Sequence, residues 1–212
     1  MQNVKNIIFD YGNVIFQLDF LRTRQTFTEL GIGNVEQVFA HTGHDPLFDQ
    51  YESGLISSAA FRDGIRRVTG KPSLTDEQID HVWNSLLVGI PPVNLDLLLI
   101  AKKQYRTFLL SNINEIHLDY ILKYLKREYS IDSNDIFFEK VYYSHLVRMR
   151  KPNRDIFELV LRENQLNPHE TLFIDDSPRH LETAKELGLQ THLLTKEETL
   201  ESFLYSSHLL VH

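Results

Sequence analysis

The chain contains no cysteine among its 212 residues, so disulfides, thiolate metal sites and cysteine nucleophiles are excluded. Long hydrophobic runs are missing as well. The longest, around Leu97–Ala101, is about a quarter of the ~20 residues that a bilayer requires. Nor is there a basic surplus: lysine and arginine number 22 against 29 aspartate and glutamate, a net charge of −7. Such an acidic balance argues against nucleic acid or an anionic membrane as the main partner. The early apolar run Ile7–Phe9 stops at Asp10, too short for the apolar region of a signal peptide, and the expectation is a cytoplasmic protein. What is present is ordinary for a folded chain, 42% hydrophobic and 24% charged, which excludes a disordered or collagen-like polymer.

Several short apolar runs lack clean alternation and read as strands covered on both faces. They are Lys5–Phe9, Thr107–Leu110, Lys140–Tyr143 and Leu172–Ile174, with a further strand at Gln190–Leu194. Helical patterns lie between them at Asn94–Gln104, Glu115–Glu128, Asn153–Glu163 and Pro178–Leu187, the last closed by Gly188. This alternation predicts an α/β fold with a doubly wound parallel sheet. Between Phe16 and about Ile90 the alternation breaks, and only helical patterns are found. One is Ser57–Val68; another follows the capping box of Thr75 and Gln78. An all-helical module inserted after the first strand is the simplest account.

In open parallel sheets, ligands bind beyond the carboxyl ends of the strands. Here those ends hold Asp10, Ser111 and the pair Asp175-Asp176, with Lys151 in a nearby loop. Singly, each residue is weak evidence, since an aspartate after a strand is often a helix cap. Jointly, carboxylates for a divalent cation, a hydroxyl donor and an ammonium group are what a phosphate monoester site needs. Asp10-Tyr11-Gly12-Asn13-Val14 after Ile-Ile-Phe resembles the first motif of the haloacid dehalogenase-like hydrolases. Leu110-Ser111-Asn112, Arg150-Lys151-Pro152 and Phe173-Ile174-Asp175-Asp176-Ser177 resemble the second, third and fourth motifs, in order, over Ile7 to Leu194.

The resemblance implies a Rossmann-like core built from residues 1–16 and 90–212, with a helical cap at 17–89. It implies a Mg²⁺-dependent phosphatase of a small phosphorylated metabolite, in the helical-cap subgroup that includes α-D-glucose-1-phosphate phosphatases. Asp10 would be the nucleophile and form an aspartyl-phosphate. Mg²⁺ would be held by Asp10, the carbonyl of Gly12 and Asp176, with Asp175 acting through water. Ser111 and Asn112 would bind the phosphoryl group, and Lys151 would neutralise both Asp10 and phosphate. Gly12 departs from the family pattern, since most of its phosphatases carry there a second aspartate that serves as general acid and base, a function typically worth about 10²–10⁴-fold. Two alternatives remain at this stage: a 2-haloacid dehalogenase, or a non-catalytic phosphometabolite-binding protein of the same fold.

Secondary candidates lie around these motifs. The polar stretch His41-Thr42-Gly43-His44-Asp45, with Asp49 and Glu52, could line a cleft. Phe39, Phe48, Phe61 and Trp83 read as the small core of the insertion. Arg148, Arg150 and Arg154 form a basic cluster in which at least two members are expected to be solvated. Tyr11 and His180 could support the metal-binding segments.

Overall fold

The computed structural model describes residues 3–32 and 46–211. Its centre is a five-stranded sheet in the order β5-β4-β1-β6-β7, parallel throughout. The strands are β1 (Asn6–Phe9), β4 (Arg106–Ser111), β5 (Lys140–Tyr143), β6 (Thr171–Asp175) and β7 (Gln190–Leu193). Every residue of β1 and β6 is buried, which is why neither shows the apolar–polar alternation of a half-exposed strand.

Successive side chains of β1 feed opposite faces. Ile7 and Phe9 join a cluster with α5 (Pro92–Gln104), α6 (Glu115–Tyr129) and α10 (Leu200–Ser206). Ile8 faces the other way, onto α8 (Arg154–Glu163) and α9 (Pro178–Glu186). Helices therefore cover both faces, the doubly wound arrangement that the alternating sequence predicts. The short α7 (Ser144–Val147) follows β5 directly.

The insertion carries α1 (Phe20–Glu29), α2 (Leu47–Glu52), α3 (Ser58–Thr69) and α4 (Asp76–Asn84). Ser57 caps α3, and Thr75 and Gln78 form the expected capping box on α4. Phe27, Leu47, Tyr51, Phe61, Ile65, Val82 and Trp83 make a separate apolar core, with Phe48 packed against it. Phe39, His41 and His44 lie outside the described residues. One expectation is corrected: the insertion is not free of strands. β2 (Gln17–Leu18) and β3 (Leu87–Gly89) pair antiparallel at its base. Two- and three-residue strands whose partner lies about seventy positions away are too short to show a period.

Register sets up the site. Phe9 lies opposite Leu109 on one side and Ile174 on the other. Asp10, Ser111 and Asp175 therefore emerge at one carboxyl edge. The chain leaves β1 toward β4 but leaves β6 toward β7, so the gap between β1 and β6 is the topological switch point, where such sheets bind ligands.

Candidate active site

Asp10 follows β1 directly, is 7% exposed, and donates its backbone N–H to the Ile174 carbonyl at 2.9 Å. Lys151 is completely buried, and its Nζ stands 2.7 Å from both Asp10 Oδ1 and Asp175 Oδ2. A buried ammonium group is tolerable only with such partners. Asn112 fixes the backbone behind it: its Nδ2 donates to the Lys151 carbonyl at 2.8 Å, and its Oδ1 accepts from the Lys151 N–H at 2.9 Å.

Asp175 also accepts from the Ser177 N–H at 2.8 Å and from His180 Nδ1 at 2.9 Å. Burial works against its ionisation, yet Lys151 and His180 together hold its carboxyl below the usual range. Asp10 goes the other way. Burial, and then the negative charge of Asp175, push its carboxyl up to about 8 in spite of Lys151. One aspartate is thus stabilised as an anion, while its neighbour, 2.7 Å from the same ammonium, is only partly compensated. Asp10, Asp175 and His180 bring one ligand atom each within 4.8 Å of one another. Asp176 is half-buried, and its Oδ2 accepts from Asn13 Nδ2 at 2.8 Å. Hard carboxylate oxygens with a deficit of positive charge fit a small divalent cation.

A cavity of about 300 Å³ opens beside these groups, reaching the strand ends through Tyr11, Gly12, Ser111 and Asn112. Asp49 and Glu52 line it, as expected from the sequence, and so does Arg150. Arg148 and Arg154 are exposed, which agrees with two of the three arginines being solvated. The Tyr11 hydroxyl donates to Asn134 at 3.1 Å, so Tyr11 contributes its ring to the cavity wall and its polar end to a buried network. A Cβ at Gly12 would come within 2.8 Å of Leu18 Cδ1, the end of a flexible, half-buried side chain that can move aside.

The sequence pattern of the haloacid dehalogenase-like hydrolases matches residues 4–188. The chain belongs to this family. A D-ribitol-5-phosphate phosphatase of Bacteroides thetaiotaomicron is 29% identical to this hydrolase over 190 residues, 89% of this chain and 90% of the relative. A HAD family enzyme from the same organism, crystallised with magnesium and inorganic phosphate, is 39% identical. The match covers 98% of this chain and 100% of that one, with a TM-score of 0.86. A predicted HAD-like family hydrolase from Porphyromonas gingivalis is 32% identical over 99% of this chain and 100% of that one, with a TM-score of 0.87.

Two contributions were not assigned from the sequence. Asn13 sits at φ 54°, a left-handed conformation that asparagine tolerates better than most residues. From there it bridges Asp176 and the Leu18 N–H, the latter at 3.3 Å. Arg150 turns toward the insertion, where its Nη atoms donate to Asp49 at 2.6 Å and Glu52 at 2.8 Å. The local signal for Asn13 was its place after a glycine at a strand end. For Arg150 the sequence held no signal beyond its being next to Lys151.

Proposed function

We propose that this hydrolase is a Mg²⁺-dependent phosphatase of small phosphorylated metabolites, working through an aspartyl-phosphate on Asp10, with residues 17–89 as its cap. The observation that carries the reading is the buried Lys151 bridging Asp10 and Asp175 at the switch point. The two relatives named for a phosphatase activity and for bound magnesium and phosphate support it. Asp10, the Gly12 carbonyl and Asp176 would hold Mg²⁺. Asp175, already engaged by Lys151, Ser177 and His180, suits a contact through water. When bound, the ion offsets the charge of the carboxylates and of the phosphoryl oxygens.

The chain's own residues then divide the work. Lys151 holds Asp10 by one carboxylate oxygen, leaving the other to attack phosphorus as the ester oxygen departs with its electron pair. Ser111, with the Asn112 N–H, binds the phosphoryl oxygens, and the Lys151 ammonium offsets the charge that develops on them. Water then attacks the aspartyl-phosphate, releasing phosphate and restoring Asp10. With glycine at position 12, no side chain there protonates the departing oxygen, so more acidic leaving groups are favoured. On this ground sugar 1-phosphates should outrun sugar 6-phosphates. The ribitol 5-phosphate relative is named for an ester of a primary alcohol, so a series of aryl phosphates of graded leaving-group acidity is the direct measurement: a steep dependence of kcat/KM is expected, and a flat one removes the preference.

Asp10→Asn should fold and lose turnover, because an amide is neither a nucleophile here nor a charged metal ligand. Retention of a tenth of wild-type turnover, with deamidation excluded, would overturn the covalent mechanism. Phosphate release that requires Mg²⁺ separates this reading from a dehalogenase, which releases halide without metal. A binding protein would show only a ligand-dependent rise in melting temperature.

A further inference from the structure

The cavity beside the strand ends has to receive whatever the phosphate is attached to, and its charges constrain that group. Among the described residues, three charged side chains line it: Asp49, Glu52 and Arg150. Arg150 is the one cation among these described lining residues, and its charge is paired on the spot: one terminal nitrogen donates to Asp49 at 2.6 Å and the other to Glu52 at 2.8 Å, so the three side chains together leave the wall with a negative excess. Its Nε has no hydrogen-bond partner but is buried without accessible surface, so a molecule in the cavity does not reach it. His117 also lines the wall. Its Nε2 lies 3.0 Å from the Trp83 carbonyl, and burial lowers its pKa to about 4, leaving it neutral near pH 7. Arg148, Arg154 and Arg179 are exposed and do not line the cavity. Residues 33–45 contain no lysine or arginine, so no permanent cation comes from that stretch.

We infer that the leaving group admitted here is uncharged: the substrate is the phosphate ester of a neutral, hydroxylated alcohol, and esters bearing a carboxylate or a second phosphate are rejected. The inference rests on the phosphatase reading and narrows it. A second anion entering the cavity gives up its hydration and meets a wall with two carboxylates and one arginine already committed to them. A hydroxyl group loses less on entry, and it can donate to the free lone pairs of Asp49, whose side chain is 68% exposed. Specificity thus comes from a cation that is present but occupied.

Matched esters that differ only in CH₂OH against COO⁻ test this: glycerol 3-phosphate with 3-phosphoglycerate, and ribitol 5-phosphate with its 5-phosphoribonate counterpart. The alcohol member should have at least a tenfold higher kcat/KM, and equal values or a preference for the acid would overturn the inference while leaving the phosphatase reading intact. p-Nitrophenyl phosphate with Mg²⁺ tests that reading separately. If no ester is hydrolysed, melting shifts decide: a larger shift with each alcohol supports charge selection, and equal shifts refute it. The double substitution Asp49→Asn and Glu52→Gln releases Arg150 and should narrow the alcohol-to-acid ratio at least tenfold. An unchanged ratio in the folded variant would overturn the role given to the Arg150 pairing, and the wild-type ratio stands as a test if the variant does not fold.

Discussion

His117 shows how a single side chain ties the chemistry of the wall to the stability of the fold. It is 7% exposed, its Nε2 meets the Trp83 carbonyl at 3.0 Å, and its ring stacks on Trp83 at 5.0 Å between centroids. Burial lowers its folded pKa to about 4 from 6.5. Between these values the unfolded chain takes up a proton that the folded chain refuses, so this contribution to stability is present above pH 6.5 and falls away as the pH drops toward 4. For this residue alone the loss from pH 7 to pH 5 is about 2 kcal/mol. His117→Gln keeps a donor and removes the titration. The stability gap between wild type and variant, from urea unfolding at both pH values, should close by about that amount; a gap independent of pH would show that His117 is not held neutral. Residues of the motif kind were legible in the sequence because each of Asp10, Ser111 and Asp175 ends an apolar run. Arg150 was not, since its partners lie 101 and 98 positions away and only tertiary contact brings them together.

Among the elements, α2 is the one whose placement matters most to the cavity, because it carries both Asp49 and Glu52. Its C-terminal end is fastened to the corner between β5 and α7. Ser144 Oγ donates to the Glu52 carbonyl at 2.6 Å, and Gly54 packs against the backbone of His145. Gly54 has φ 63°, and a Cβ there would lie 2.0 Å from the His145 carbonyl oxygen. Neither the left-handed conformation nor a backbone neighbour can yield easily. Gly70 has a similar φ of 65° with nothing within 4 Å of its Cβ position. Gly70→Ala should therefore cost about 1–2 kcal/mol, the conformational penalty alone, whereas Gly54→Ala should cost clearly more by chemical denaturation. Equal costs would mean that α2 is not held at this corner. The sequence could not show this docking. It did show the elements themselves: the expected Lys140–Tyr143 strand matches β5, and the capping box on α4 is present, because caps and apolar runs are local. The β2–β3 ribbon escaped, being long-range and only two and three residues wide.

At the scale of the whole molecule, the insertion is built into the core more tightly than its separate apolar cluster suggests. Ile116, on the core helix α6, is 6% exposed and belongs to the insertion's cluster. The Trp83 Nε1–H donates to Asn114, the N-cap of α6, at 3.3 Å, and the Ile116 N–H donates to the Tyr51 hydroxyl at 3.1 Å. Ser58 donates to Glu115 on the same helical turn. The N-terminus of α6 thus directs one free backbone N–H and two side chains to the insertion, and a buried isoleucine there contributes packing whose truncation to alanine typically costs about 2–5 kcal/mol. The aromatic residues Phe48, Phe61 and Trp83 were readable as an insertion core from the sequence. Ile116 was not, because its position on α6 gives no sign of which core it joins. An interface of this kind predicts that insertion and core unfold together. Trp83 is the single tryptophan of the chain and stands at the junction, so its fluorescence reports the junction while far-UV circular dichroism reports the whole. The two signals should coincide along a urea titration, with calorimetric and van't Hoff enthalpies in agreement. An earlier fluorescence transition would instead mean that the insertion detaches from a core that remains folded, and Ile116→Ala should then shift that first transition and leave the second in place.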